Sequence, residues 1–218
     1  MRVGFVHTVG FLVDRFRALM EEKQPGADCF HILNEGLLQD LLRGADPALV
    51  YRRVVEQVLL AADSGADLLV VTCSSTSPAV DIARQVTAVP ILKIDDPMAV
   101  EAITLGRRIA VLCTNTSTPG PSTALLRSHA AAQSRAVKVT AVVRPDAYQA
   151  LFAGDRDRHD AIVTEAALAV APEADVIVLA QASLAHLQPA LARDTGRPVL
   201  SSPPLLMQEI GRRLQGGP

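Results

Sequence analysis

Apolar runs of strand length recur along the chain at Val3 to Val6, Phe30 to Leu33, Leu68 to Val71, Val89 to Leu92, Ile109 to Leu112, Val137 to Val143, Val176 to Leu179 and Val199 to Leu200. Segments with helical spacing lie between most of them. Pro47 to Ala62 carries Leu49, Val50, Val54, Val58, Leu59 and Ala62 on one stripe, and His159 to Val170 carries Ile162, Val163, Ala166 and Val170. Alternating strand and helix predict an α/β fold built on a mainly parallel sheet with helices on both faces. Five helix starts are marked by a capping oxygen directly before a proline suited to the first helical position: Asp46-Pro47, Ser77-Pro78, Asp96-Pro97, Thr118-Pro119 and Ser202-Pro203.

The pattern also repeats. Leu69-Val70-Val71-Thr72 matches Ile177-Val178-Leu179-Ala180 at an offset of 108 positions (71 to 179), and Val89-Pro90-Ile91-Leu92 matches Arg197-Pro198-Val199-Leu200 at the same offset (90 to 198). The opening run Val3 to Thr8 pairs with Ile109 to Thr114 at 106 (5 to 111). Two pseudo-symmetric α/β lobes follow, 1–104 with about 201–218, and 105–200. The strand ends His7, Cys73, Cys113 and Gln181 would flank a substrate between them. The final helix, about Pro204 to Leu214, would cross back onto the first lobe.

Composition narrows the function. With 218 residues, 49% hydrophobic, 20% charged and a net charge of -2, the chain can bury a full core and has no electrostatic reason to bind nucleic acid. Aromatics at 3% and no Trp also argue against a base-stacking surface. No apolar stretch approaches the ~20 residues that span a bilayer, and Met1 to Val9 enters a strand pattern without a cleavable signal. Cys29, Cys73 and Cys113 show no C-x-x-C spacing, so neither a disulfide framework nor a metal site is expected, and reduced thiols suit a cytoplasmic protein. Gly-x-Gly-x-x-Gly and Walker patterns are absent from the sequence, which leaves nucleotide cofactors without a phosphate loop.

The chemistry concentrates where Leu68 to Val71 stops at Thr72-Cys73-Ser74-Ser75. An unbroken aliphatic run is a strand buried on both faces, and its carboxyl end is where parallel α/β sheets place their ligand crevice. A thiol before the helix that Pro78 begins would meet backbone N–H groups and the positive end of a dipole, which favour the thiolate and equally suit a carboxylate ligand. Together with the repeat, this reads Cys73 as functional, against the alternative of a small buried hydrophobe. The Thr/Pro/Gly/Ser-rich loop Thr114 to Ser122 is the expected ligand-wrapping element. His31 inside its run is expected to pack, Asn34-Glu35 to close that strand near the crevice rim, and Cys29 to sit at the structural end. Gly154 to Asp160, with Asp155, Arg156, Asp157, Arg158 and His159, reads as a solvated helix start.

These residues resemble a family. The two-lobed repeat, the Thr72-Cys73-Ser74-Ser75 step and the Leu112-Cys113-Thr114-Asn115-Thr116 loop running to Ser122 are similar to the aspartate/glutamate racemase superfamily, which includes hydantoin racemases, maleate isomerases and arylmalonate decarboxylases. The resemblance covers nearly the whole chain. It implies cofactor-independent chemistry at the carbon next to a carboxylate of a small amino or carboxylic acid, in a homodimer. In the family's racemases one thiol from each lobe faces that carbon. Carried over, Cys73 matches the first-lobe thiol, and Thr8, Ser74, Ser75, Thr114, Asn115, Thr118, Gln181 and Ser183 are the substrate-binding positions. The departure is at Leu179-Ala180-Gln181-Ala182-Ser183, where Gln181 stands in place of the second thiol and offers only hydrogen bonds. His7 and Cys113 are the candidates to complete the acid–base pair, with His186 a further one. A racemase or epimerase type isomerase is the leading expectation. A single-thiol decarboxylase or cis-trans isomerase of a diacid, and a non-catalytic carboxylate-binding protein, are the alternatives.

Overall fold

The structure, a computed structural model, describes residues 1–216. Gly217 and Pro218, the end of the segment 201–218 expected in the first lobe, lie outside the described residues. Each of the eight apolar runs contains or overlaps a strand: β1 Arg2–His7, β2 Asp28–Leu33, β3 Leu68–Val71, β4 Ile91–Lys93, β5 Arg108–Cys113, β6 Lys138–Val143, β7 Val176–Leu179 and β8 Val199–Ser201. They form two four-stranded sheets, ordered β2-β1-β3-β4 and β6-β5-β7-β8, and every pairing is parallel.

The sequence repeat returns as a repeat of register. Val3 pairs with Leu68 and Leu69 with Ile91, while Ile109 pairs with Val176 and Ile177 with Val199. Individual backbone bonds repeat as well: Thr72 N donates to Val6 O at 3.0 Å and Ala180 N to Leu112 O at 3.0 Å, and Asn34 N donates to His7 O as Arg144 N does to Cys113 O. Cys73 and Gln181 are therefore equivalent positions in the two sheets, as are His7 and Cys113.

The chain divides into two compact units, Met1–Ile94 with the segment from Leu206, and Asp95–Leu205. This boundary falls ten residues before the expected one at 104, so the helix Asp96–Leu105 belongs to the second unit. Its buried Met98, Ala99, Ala102 and Ile103 pack with Ile109, Val111, Val176 and Val178. The alternate strand positions Ala110, Leu112, Ile177 and Leu179 face a separate cluster with Val163, Ala167 and Leu191. That split between alternate residues is what a sheet covered on both faces requires. The first unit has its own core, in which Val6, Leu69 and Val71 meet Val50, Val54 and Val58 of the helix Pro47–Asp63.

Of the five marked helix starts, one is capped as expected. Asp46 accepts a hydrogen bond from Ala48 N at 3.0 Å. Ser77 and Thr118 make no side-chain cap bond, the helix expected at Pro97 starts one residue earlier at Asp96, and Ser202 is itself the first residue of its helix, its hydroxyl donating to Asp95 Oδ1. Proline at the first turn suffices to start these helices, because its missing N–H would be unsatisfied there anyway.

Asp175 ties the two central strands of the second sheet at their amino ends. Its Oδ2 accepts from the N–H of Arg107 at 3.0 Å and of Arg108 at 2.8 Å, and its Oδ1 from the Arg108 guanidinium at 2.9 and 2.6 Å. The Arg108 side chain, then these backbone donors, hold the carboxyl down at about 2. A carboxylate depressed in the folded state stabilises the fold above the unfolded value of ~4 and loses that contribution as pH falls through the folded one. The expected result is that Asp175→Asn melts below wild type at pH 5 and that the difference closes toward pH ~2. A gap in melting temperature that stays constant over this range would contradict it.

Candidate active site

Cys73 follows β3 in extended conformation (φ -124°, ψ 114°) and is 8% exposed. The helix begins at Pro78 as expected, but a turn stands between it and the thiol. Ser74–Thr76 form a 3₁₀ turn whose bonds, Thr76 N to Cys73 O and Ser77 N to Ser74 O, precede a helix of only six residues, Pro78–Ala83. The helix dipole thus starts five residues beyond the thiol, and what surrounds the strand end is the buried hydroxyl set Ser74, Ser75, Thr76 and Ser77. On the neighbouring strand end, Thr8 is 3% exposed and its Oγ1 has no partner among the described residues. Thr8 and Cys73 each stand two residues beyond the paired Val6 and Val71.

His7, fully buried, is the inner member of a chain of polar contacts. Its Nδ1 lies 2.8 Å from Thr72 Oγ1 and its Nε2 2.9 Å from His31 Nδ1, whose Nε2 is 4.0 Å from Cys29 Sγ. Thr72 Oγ1 donates to Val6 O at 3.2 Å, so it accepts from His7 Nδ1–H, and His7 Nε2 then accepts from His31 Nδ1–H. Desolvation, with His31 adding to it, pushes His7 down to about 3. His7 is therefore neutral in ordinary buffers, with both ring nitrogens committed, and it positions Thr72 immediately before the thiol. His31, expected simply to pack, is the partner that makes this possible. Glu35 closes the turn after β1 by accepting from Gly10 N at 3.0 Å.

In the second unit Cys113 is fully buried in the core and its thiol donates to Val142 O at 3.8 Å. Burial pushes it up to about 12, so it is a thiol at neutral pH. Gln181 occupies the position equivalent to Cys73, again extended and again followed by a 3₁₀ segment, Ala182–Leu187. Its Oε1 accepts from Thr114 N, from Thr114 Oγ1 at 3.0 Å and from Asn115 N at 3.4 Å. This is a nest of donors of the kind that holds an anion, filled here by a side-chain amide oxygen. The Gln181 Nε2 makes no hydrogen bond among the described residues.

Asn115 fixes that loop. Its Oδ1 accepts from the N–H and hydroxyl of Ser117 at 3.1 and 3.0 Å and of Thr118 at 3.0 and 2.7 Å. Thr118, expected to cap a helix, serves this carbonyl instead. Asn115→Ala removes the acceptor these four donors share, and a loss of about 1–3 kcal/mol is expected by urea denaturation. A change within ~0.5 kcal/mol would show that the loop holds itself. Ser183 enters through its backbone, its O lying 3.0 Å from His186 Nδ1.

A family model described as Asp/Glu/hydantoin racemase matches residues 13–210.

The chain belongs to the Asp/Glu/hydantoin racemase family.

A glutamate racemase isoform from Bacillus anthracis superposes with a TM-score of 0.77 at 17% identity, covering 98% of this chain and 81% of that one. An allantoin racemase from Klebsiella pneumoniae gives 0.70 at 18%, covering 100% and 89%. At these identities the likeness is one of fold. An uncharacterized protein of Schizosaccharomyces pombe is 28% identical over 166 residues, 76% of this chain and 65% of that relative, so the match spans just under two thirds of the relative's length.

Within this racemase family frame, the sequence positions divide by unit. Thr8, Thr72, Cys73, Ser74 and Ser75 gather at the strand ends of the first sheet, and Cys113, Thr114, Asn115, Thr118 and Gln181 at those of the second. His159 and Asp160, expected as a solvated helix start, lie instead against His186. That pairing is tertiary, 26 positions apart between Asp160 and His186, and no local spacing announces it. Among the described residues, no helix is long and apolar enough to cross a membrane.

Proposed function

We propose that this chain is a cofactor-independent isomerase of racemase or epimerase type, acting at the carbon next to a carboxylate of a small amino or carboxylic acid, with the Cys73 thiolate as base. The observation that carries this reading is the grouping at the first sheet's carboxyl edge: one thiol, the buried Ser74 and Ser75 hydroxyls, and the unpartnered Thr8 hydroxyl. Cys113 supports it by contrast, since a thiol held up at about 12 cannot serve as a base. The thiolate takes the proton from the α-carbon. The electron pair passes into the adjacent carboxylate, where hydroxyl and N–H donors are best placed to stabilise the charge that develops. Inversion is completed when water delivers a proton to the opposite face of the carbon and the hydroxide left takes the proton held by Cys73, which restores the thiolate.

The amide of Gln181 favours a second reading, a single-thiol lyase or cis-trans isomerase. Decarboxylation of a malonate needs one proton donor for the carbanion, and thiolate addition to the double bond of a diacid needs no opposed acid. Incubation in deuterated water with a panel of amino acids, hydantoins and hydroxy acids, followed by proton NMR at the α-carbon, tests the first reading. Exchange into recovered substrate and product is expected. Its absence, together with carbon dioxide release from substituted malonates or conversion of maleate to fumarate, would replace the first reading by the second. Binding of carboxylates with no turnover of any of these would leave a binding protein.

A further inference from the structure

We propose that His159, Asp160 and His186 form a binding site for a divalent transition metal of the zinc class. His159 and Asp160 lie in the first turns of the helix Arg156–Val170, whose start is fixed by Asp155 accepting from Arg158 N at 3.0 Å. His186 comes from the 3₁₀ segment that follows β7. His159 Nδ1 is 2.7 Å from Asp160 Oδ1, and His186 Nε2 is 3.0 Å from both Asp160 oxygens. One ligand atom from each residue lies within 4.8 Å of the others, and this is the one group of three or more His, Cys, Asp or Glu so placed among the described residues.

The hydrogen-bond account of the cluster calls for a cation. His186 Nδ1 faces Ser183 O, an acceptor only, so that nitrogen carries a hydrogen. A neutral His186 would then point the lone pair of Nε2 at two carboxylate oxygens. A metal ion between them would satisfy the lone pair and both oxygens together. The bond to the Ser183 carbonyl is also the outer-sphere contact that orients a metal-binding imidazole. His159 Nε2 is buried with no partner among the described residues. Since it is orphaned in either tautomer, moving the hydrogen from Nδ1 to Nε2, which frees Nδ1 as a ligand, adds little to a cost already present.

The ligand types select the metal. Two imidazole nitrogens and one carboxylate oxygen suit zinc and its first-row neighbours and suit magnesium or calcium poorly. Donors around a tetrahedral ion with bonds of ~2.0–2.1 Å stand roughly 3.4 Å apart, so the contacts of Asp160 with the two imidazoles have to open by less than an ångström. His186, 50% exposed, is the member free to move, and its exposure leaves a fourth position to water or a small anion. With both its nitrogens engaged, His186 is also removed from the candidates to replace the second thiol. The site is independent of the role given to Cys73.

Chelator-stripped protein carrying Cys29→Ser and Cys73→Ser, so that these thiols cannot bind metal, is titrated with zinc chloride by calorimetry and analysed for bound metal after dialysis. One zinc per chain, a raised melting temperature, and no response to magnesium chloride are expected. His186→Ala and Asp160→Asn should each weaken binding on the order of 100-fold or more, since even outer-sphere losses cost 10–100-fold. His186 is half exposed, so its variant keeps the fold, checked by circular dichroism without metal. No binding at micromolar zinc, equal binding of magnesium, or zinc affinity unchanged in His186→Ala would each overturn the site.

Discussion

Cys73→Ala is expected to lower α-proton exchange by ~10²–10⁴-fold, the range for removing an acid–base group, with little change in melting temperature. The activity loss follows from chemistry that neither other candidate can supply. Cys113 is fully buried, held protonated, and hydrogen-bonded to Val142 O. His7 is neutral and bonded through both nitrogens. Cys73→Ser should lose as much, because a serine hydroxyl is a far weaker acid and is not ionised near neutral pH. Stability should hold because alanine removes a single sulfur from a side chain at the edge of the core. Cys29→Ser, at the opposite end of its strand, serves as the control for thiol chemistry in general. Exchange that persists in Cys73→Ala would remove the thiolate from the mechanism and leave the hydroxyl cluster as a binding site.

The second large effect concerns the wall that keeps His7 dry. Phe5 is fully buried, with its ring 5.8 Å from His7, 5.1 Å from His31 and 5.6 Å from Phe16 between centroids. Residues 5 and 7 share a face of β1, and Phe5 pairs with His31 in register, so one aromatic layer covers both imidazoles. Phe5→Ala should cost about 3–5 kcal/mol by denaturant midpoint. It should also bring water to His7 and move its pKa up from about 3 toward the ordinary value. The sign is testable. In wild type the unfolded chain binds a proton below ~6.5 that native His7 refuses until about 3, so this group makes stability fall as pH drops through that window. In Phe5→Ala the fall should be shallower. An NMR titration of His7 unchanged in the variant would show that the phenyl ring is not what excludes water.

Much of the frame was legible because the central strands of both sheets are buried on two faces. Such strands have no polar positions to blur the signal, and Leu68 to Val71 and Val176 to Leu179 stand out as unbroken runs. The repeat was legible because the same register constrains the same positions twice. What escaped depends on partners distant in sequence. Thr118-Pro119 has the pattern of a cap, but the side chain that claims the Thr118 hydroxyl, Asn115, comes from the loop before it. Asp96-Pro97 marks a helix correctly yet gives no sign of which core that helix joins, since an apolar face fits either. The charged run at 154–160 resembles a solvent-facing turn because its charges dominate, while the buried ring of His159 is visible only once the chain has folded.

The segment from Leu206 belongs to the first unit although the whole of the second intervenes. Leu206, Met207 and Ile210 are buried, and Gln24 Nε2 donates to Met207 O at 3.3 Å, at the end of the helix Phe11–Lys23. A ribosome therefore releases β1 to β4 as a continuous stretch, then must deliver another complete sheet before the helix that finishes the first one emerges. Until then the surface beside Gln24 is uncovered. Chaperone capture or proteolysis of nascent chains stalled after β8 should accordingly concentrate on the older unit, even though its strands were made first.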